Sequence, residues 1–334
     1  MKVTLKDIAK DTGYSISTVS RALRGDNKIS SSSEQKIVKS AHRLNYPLVK
    51  NKKQTNGVHS PHFAVVSDFQ KGEFYSAFFS AFNSVSRHFN ASFGLYSYAS
   101  INDSQLIIKR ILELEKHGFN GAIVFIPDLK PEHYRTLLDK TRSGFPLISI
   151  SMAHSPVMDT IAFDAYSGGF SVAKHFGESG YKSTGLIYGP HDRPEALLRA
   201  NGYTDYCKRN KNVELDWIYD GDYSIQSGQK AFEAFQELDH KPRALFASND
   251  DMAMGFMQSA IAKGYHFPDD IAIAGYDDLR ICSIIHPTLT SVSTDFEKLA
   301  FNVTKELTHR LNNHVTHQGF MNLIPVNLEV RESS

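Results

Sequence analysis

Thr4-Leu-Lys-Asp-Ile-Ala-Lys-Asp-Thr-Gly13-Tyr-Ser-Ile-Ser-Thr18-Val-Ser-Arg21-Ala-Leu-Arg-Gly25 is the stretch from which the rest of the chain can be read. Leu5, Ile8 and Ala9 fall at i, i+3 and i+4, one face of a helix, and Thr4 is placed to cap its first turn. Gly13 interrupts the pattern. Ser15 is a second N-cap candidate ahead of Ile16–Leu23, whose apolar stripe is Val19, Ala22 and Leu23. A third periodic segment follows Ser30–Ser33, with Ile37, Val38, Ala41 and Leu44 on one side, Ser30 as cap and Glu34 suiting the helix dipole. Tyr46-Pro47 ends it. Three short helices, the first two joined by a tight glycine turn, predict an all-α helix-turn-helix head over residues 1–47.

Charge sets this head apart. Residues 1–57 carry nine Lys and three Arg against Asp7, Asp11, Asp26 and Glu34, a net of +8, whereas the whole chain is only +1. A basic head on a mildly acidic body is the distribution expected when the head alone meets a polyanion. Residues 48–61 are polar and basic and end in Pro61, the composition of a linker.

At 334 residues the chain has room for two or three domains, and 41% apolar with 22% charged residues is ordinary soluble usage. No apolar run approaches the length of a membrane span, and charge enters the N-terminus too early for a signal peptide. Cys207 and Cys282 make no disulfide framework and read as packing residues of a reducing compartment, so a cytoplasmic protein is expected.

From His62 onward short apolar runs alternate with helical patterns. The strands expected are 63–67, 92–96, 121–126, 147–151, 160–163, 183–188, 216–219, 244–247, 271–276 and 289–293. Helices are expected at 74–89, 105–117, 133–140, 167–178, 196–209, 227–238, 250–263 and 296–313. Repeated β-α units predict parallel sheets covered by helices. Ten strands exceed one comfortable sheet, so residues 62–334 are read as two doubly wound α/β subdomains, with a ligand cleft beyond the carboxyl ends of their strands.

The head sequence quoted above, continued through Ile29-Ser30 and Leu44-Asn45-Tyr46, resembles the DNA-binding head of the lactose/galactose-repressor family of transcription factors. Weaker matches follow in that family's order: Gly121-Ala-Ile-Val, Asp164-Ala-Tyr-Ser-Gly-Gly169, Gly180-Tyr, Arg199-Ala-Asn-Gly-Tyr203, Ser248-Asn249-Asp250, Gly275-Tyr-Asp277-Asp278 and Pro287-Thr-Leu-Thr290. The resemblance implies a body like a periplasmic sugar-binding protein, with three crossovers between subdomains, near 161–164, 289–293 and 320–325.

It also implies site residues. Base contact falls to Ile16, Ser17 and Arg21; arginine can bridge guanine O6 and N7, and isoleucine can lie on a thymine methyl. Thr4, Ser15, Thr18 and Ser20 are short donors suited to phosphate oxygens, and Lys50, Lys52 and Lys53 add charge in the linker. The family usually wedges a hinge leucine into the minor groove, but that position here is Gln54. Two alternatives stand: Leu48 or Val49 takes its place, or the segment forms no hinge helix. In the body, Arg199, Asn249 and Asp277 match the family's polar effector anchors, Tyr223 its stacking position and Phe296 an apolar wall. Such a set suits a polyhydroxylated ligand, a sugar or sugar phosphate. Asp164 matches a position that serves either structure or ligand. Ser151 stands where relatives frequently have Asp.

Other chemistry finds no support in the motifs. His59/His62 and His314/His317 lack the carboxylates or thiols of a metal site and read as loop histidines. Gly168-Gly169 is not a phosphate-binding fingerprint, and neither a Walker loop nor a nucleophile elbow occurs. No catalytic residue, metal or cofactor is expected. The expectation is a homodimeric repressor of carbohydrate uptake or catabolism, bound to a palindromic operator on double-stranded DNA and switched by a small effector, with no membrane partner. The segment Leu328–Ser334 carries no heptad tail that would make it a tetramer. A purine corepressor, a controlling protein partner and a plain sugar-binding protein are the alternatives.

Overall fold

The structure is a computed structural model that describes residues 4–23, 29, 31–44, 60–68, 72–97, 103–126, 129–141, 144–151, 157–210, 212–313 and 319–334. The chain forms two units, Met1–Ser60 and Pro61–Ser334.

The first unit holds α1 (Leu5–Thr12), α2 (Ile16–Leu23) and α3 (Ser31–Arg43). Its core is Ile8, Ala9, Val19, Ala22, Ile37 and Ala41, all buried, with Leu5, Tyr14, Leu23, Ile29 and Leu44 packed around them. At the start of α1 the Asp7 carboxylate accepts from both the backbone N–H and the hydroxyl of Thr4, each at 2.7 Å. Gly13 closes the helix in the left-handed region, at φ 75°, where a side chain would be strained. The α1–α3 contact is tied by Asp11, which accepts from Ser40 Oγ and, at 2.6 Å, from Arg43 Nη2. Ser30, the side chains of Glu34 and Val38, and most of the linker lie outside the described residues.

The second unit opens with β1 (His62–Ser67), α4 (Glu73–Phe89), β2 (Ser92–Ser97), α5 (Ser104–Glu113), β3 (Gly121–Phe125), α6 (Pro131–Lys140), β4 (Leu147–Ser149) and β5 (Thr160–Phe163). It continues with α7 (Ala165–Glu178), β6 (Ser183–Tyr188), α8 (Pro194–Arg209), β7 (Glu214–Asp220), α9 (Ile225–Gln236), β8 (Ala244–Ala247), α10 (Asp250–Ala262), β9 (Ala272–Asp277) and β10 (Thr290–Ser293). Then come α11 (Phe296–Asn313), β11 (Met321–Ile324) and β12 (Asn327–Glu329).

Among the described residues the strands form two six-stranded sheets, ordered β11-β5-β4-β3-β1-β2 and β12-β10-β9-β8-β6-β7. Pairing is parallel throughout, save that β12 runs antiparallel to β10. Both faces of each sheet are covered, which is why the strands read as continuous apolar runs. In the first sheet Phe63, Val65, Ile123 and Ile148 face α4 and α11, while Ala64, Val66, Ala122 and Val124 face the α5–α6 side. In the second, Leu245, Ala247 and Ile273 pack toward α9 and α10, and Phe246, Ala272 and Ala274 toward α7 and α8. The chain passes between sheets three times: after β5, between β10 and α11, and between β11 and β12. Cys207 and Cys282 are buried and unlinked. Among the described residues, no helix is long and apolar enough to cross a membrane, and no cluster of His, Cys, Asp and Glu could hold a metal ion.

Two strands, β11 and β12, were not expected from the sequence. Four and three residues long, they show no periodicity of their own and exist by pairing with β5 and β10. The expected strand at 147–151 is shorter, because the chain leaves the sheet after Ser149 and Ser151 enters the cleft.

Candidate functional site

Two surfaces concentrate functional groups, one in each unit. In the first, α2 starts on Ser15, whose hydroxyl accepts from the Thr18 N–H at 3.1 Å and lies 2.8 Å from both Ser17 Oγ and Thr18 Oγ1. Burial of Val19 and Ala22 turns the opposite face outward, so Ser15, Ile16, Ser17 and Arg21 are exposed and Thr18 and Ser20 half-buried. Ile16 keeps 48% of its surface in solvent, an unusual place for a large apolar side chain beside short hydroxyls. Thr4 is exposed at the head of α1. Lys50, Lys52 and Lys53 lie outside the described residues.

The second surface is a cavity of about 260 Å³ between the two sheets of the second unit, near the low end of small-molecule pockets. Strand ends and the turns after them line it: Ser67, Phe125, Phe163, Tyr223, Asn249 and Asp277 come from six different connections. That is the place where an open α/β sheet presents its loops.

Arg199 is a buried part of its lining. It sits inside α8, within the helix expected at 196–209. Its Nη1 donates to the Ser248 carbonyl at 2.5 Å and its Nη2 to Asp277 Oδ1 at 3.2 Å. The guanidinium carbon stands 3.6 Å from the centre of the Tyr276 ring and 5.8 Å from that of Tyr223. Nε is buried with no hydrogen-bond partner. Burial works against the charge, but Asp277 and the tyrosines hold the Arg199 pKa above the usual arginine value. For Asp277 burial raises the carboxyl, Arg199 opposes it, and the balance is pushed up to about 6.

The backbone here is also unusual. Tyr223 and Asp277 have φ of 71° and 111°, and neighbouring Asp278 has 54°. Non-glycine residues in this region cost about 1–3 kcal/mol each and tend to cluster at binding sites. Their supports are visible. Asn249 Nδ2 donates to the Tyr223 carbonyl at 2.9 Å, and Asp278 takes Arg331 Nη2 at 2.7 Å.

The expected residues divide by role. Arg199, Tyr223, Asn249, Asp277 and Phe296 all line the cavity. Asn249 is also the N-cap of α10, accepting from the Met252 N–H at 3.0 Å. Asp164 departs from expectation: it caps α7, accepting from Ser167 N at 3.0 Å and Ser167 Oγ at 2.6 Å, and does not line the cavity. Sequence reasoning missed Glu195, Asp222 and Asp251 on one wall and Phe74, Tyr75 and Phe125 on the other. Gly168-Gly169 has a packing reason: a Cβ on Gly169 would overlap the Arg199 carbonyl oxygen, so the pair lets α7 and α8 touch.

Residues 4–47 match the model of bacterial regulatory proteins of the lacI family, and residues 173–334 match the periplasmic binding protein-like domain. The head thus carries a lacI-family DNA-binding domain and the body a periplasmic-binding-protein-like domain. That pair of domains, shared with relatives that are transcriptional regulators, makes it a DNA-binding transcriptional regulator and not an enzyme. Among relatives, catabolite control protein A of Priestia megaterium is 25% identical over the full length of both chains. The probable HTH-type transcriptional repressor ExuR of Bacillus subtilis is 28% identical over 89% of this chain and 88% of its own. The HTH-type transcriptional repressor PurR of Proteus mirabilis is 26% identical over 93% of this chain and 91% of its own. In fold the chain is similar to the lac repressor dimer bound to operator (TM-score 0.74, 24% identity, 100% and 99% covered). It is similar also to the regulator CelR in complex with cellobiose (TM-score 0.70, 21% identity, both chains covered completely).

Proposed function

We propose that this regulator represses genes of carbohydrate uptake or catabolism and that a small sugar-like effector in the body's cavity sets its affinity for DNA. The observation that carries the effector reading is Arg199: a buried guanidinium with an unpartnered Nε, paired with Asp277 and flanked by the Tyr223 and Tyr276 rings. A fork of donors, a carboxylate acceptor and ring faces form the set that receives a polyhydroxylated ring.

On the DNA side, Arg21, Ile16 and Ser17 read bases, while Thr4, Ser15, Thr18 and Ser20, with Lys50, Lys52 and Lys53 of the basic linker, hold phosphates. The exposed face of α2 supports this assignment. One helix-turn-helix unit makes few phosphate contacts, so the working form is a cytoplasmic homodimer on a palindrome with half-sites about one helical turn apart. The effector acts through a difference in affinity between operator-bound and free forms, with a coupling of about 1–3 kcal/mol or about 5–150-fold.

The test pairs calorimetry on sugar and purine panels with operator binding measured with and without whatever binds. A sugar that shifts operator affinity supports the reading. A purine base that does so replaces it with a corepressor, a role for which Tyr223 offers a stacking face. No response to either panel removes small-molecule control. Sedimentation at micromolar concentration checks the dimer.

A further inference from the structure

The two walls of the cavity differ in chemistry, and the difference narrows the effector class; the inference rests on the effector reading above. The wall from the first sheet is aromatic. Phe74 lies 5.3 Å from Phe296, edge to face, and 6.1 Å from Phe125. Phe163 is 5.8 Å from Phe296, and Tyr75 is 6.4 Å from Phe125. Phe78, buried beneath them, stands 5.4 Å from Phe125. The five upper rings are only half-buried and line the cavity. A ring needed solely for packing would be covered; here a continuous aromatic surface faces the space that a ligand enters.

The opposite wall is polar and acidic. Among the described residues Glu195, Asp222, Asp251 and Asp277 line it, and Asp68 joins from the first sheet, against Arg193 and Arg199. Arg199 is already paired with Asp277. Asp222 accepts from Ser224 N at 2.9 Å and Ser224 Oγ at 2.5 Å, bonds that favour its charged form. In a partly enclosed site an added phosphate or carboxylate would meet this surplus negative charge at reduced dielectric.

We propose that the effector is an uncharged glycoside: one polyhydroxylated ring, held by Arg199 and Asp277, that carries a flat apolar group stacked on Phe74, Tyr75, Phe125, Phe163 and Phe296. The flat group is an aryl ring or a nucleobase, and sugar phosphates and uronates are excluded. A cavity of about 260 Å³ suits one sugar ring with one substituent better than a longer oligosaccharide.

The experiment is calorimetry on the full chain at neutral pH. The probes are methyl and phenyl glycosides of glucose, galactose and mannose, the nucleosides adenosine and cytidine, ribose, glucose 6-phosphate and glucuronate. In the best sugar series, or between a nucleoside and ribose, the flat group is expected to tighten binding by about 10-fold or more, the benefit of burying one aromatic ring. Phenyl glycosides against nucleosides decide between aryl and nucleobase. The phosphate and the uronate are expected to bind more weakly than methyl glucoside. F74A should remove the advantage of the flat group and spare the methyl glycoside, and E195Q with D251N should shrink the penalty on the phosphate. Should F74A fail to fold, F74L keeps the volume without the ring face, and the wild-type panel needs no variant at all. Equal binding of methyl and phenyl glycosides, or tightest binding by an anion, overturns the inference and leaves the sugar reading standing. If no sugar-bearing probe binds, the sugar reading itself fails and this inference with it.

Discussion

Arg199 Nη2 stands 3.2 Å from Asp277 Oδ1, joining α8 to the end of β9 across 78 positions of sequence, with both side chains at most a tenth exposed. A buried ion pair of this kind is costly to desolvate and adds little stability on its own account, whereas removing one partner strands the other's charge. Its place in a cavity wall, with strained backbone at Asp277 and an Nε–H that lacks an acceptor, therefore points to binding and not to stability.

R199A is accordingly expected to lose effector binding and to destabilise the body by about 3–5 kcal/mol, because Asp277 is left buried and unpaired. Adding D277N removes the stranded charge. The double variant should recover most of the stability and none of the binding. Thermal melts together with calorimetry check both halves. A double variant that binds effector like wild type would remove the pair from the site.

Asp250 makes a second buried carboxyl beside the first. Its Oδ1 accepts from Ser291 Oγ at 2.6 Å and its Oδ2 from the Leu279 N–H at 2.9 Å. Burial first, and then the charge of Asp277, push it up to about 8, against 3.8 for an ordinary aspartate. Between those values the folded chain holds a proton that the unfolded chain has released. Stability therefore is greatest at the acid end of this window and falls as pH rises through about 8. Urea melts from about pH 5 to about pH 8.5 should show that decline in wild type and a flatter profile in D250N. The same slope in both would clear Asp250 of responsibility.

Much of this was readable from residue order, and what was missed has physical causes. The strands of the two sheets are apolar on both faces, so 160–163, 183–188 and 244–247 were marked at the observed boundaries. Contacts that depend on a partner strand left no trace in β11 and β12. Asp164 and Asn249 satisfied a motif, yet both are helix caps first, since the same short acceptor that binds a ligand also binds a free N–H. Apart from Phe296, the aromatic wall was hidden because phenylalanine reads as core. One signal could have exposed it: Phe74 and Tyr75 are adjacent on a helix, and neighbours at i, i+1 do not face the same side.

The head predicts a contrast between two cations. Arg21 is exposed on α2, one turn beyond Thr18 and turned away from the buried stripe of Val19 and Ala22. R21A is expected to weaken specific binding by about 1–3 kcal/mol and relax the preference at one base pair. Lys52 lies outside the described residues; as a linker phosphate contact, K52A should weaken all duplexes alike and lower the salt dependence. Competition between operator and random DNA distinguishes them. Equal loss on both duplexes for both variants would withdraw Arg21 from base reading.

Gly169 offers the most direct test of how α7 supports the cavity. An alanine in a helix interior normally gains about 1 kcal/mol over glycine. Here the added Cβ would overlap the carbonyl oxygen of Arg199, a backbone atom that cannot rotate away, so α7 and α8 must separate. Overpacking of this sort costs about 1–3 kcal/mol, and the penalty outweighs the gain in helix propensity. The displaced atom belongs to Arg199 itself, so the shift is also transmitted to the guanidinium that pairs with Asp277. G169A should thus melt earlier and bind effector more weakly, while its isolated head residues, 4–23 and 31–44, keep their own packed core. Calorimetry and circular dichroism on the full chain measure both effects. A G169A protein more stable than wild type, with effector affinity unchanged, would mean that α7 and α8 are not locked together at this crossing.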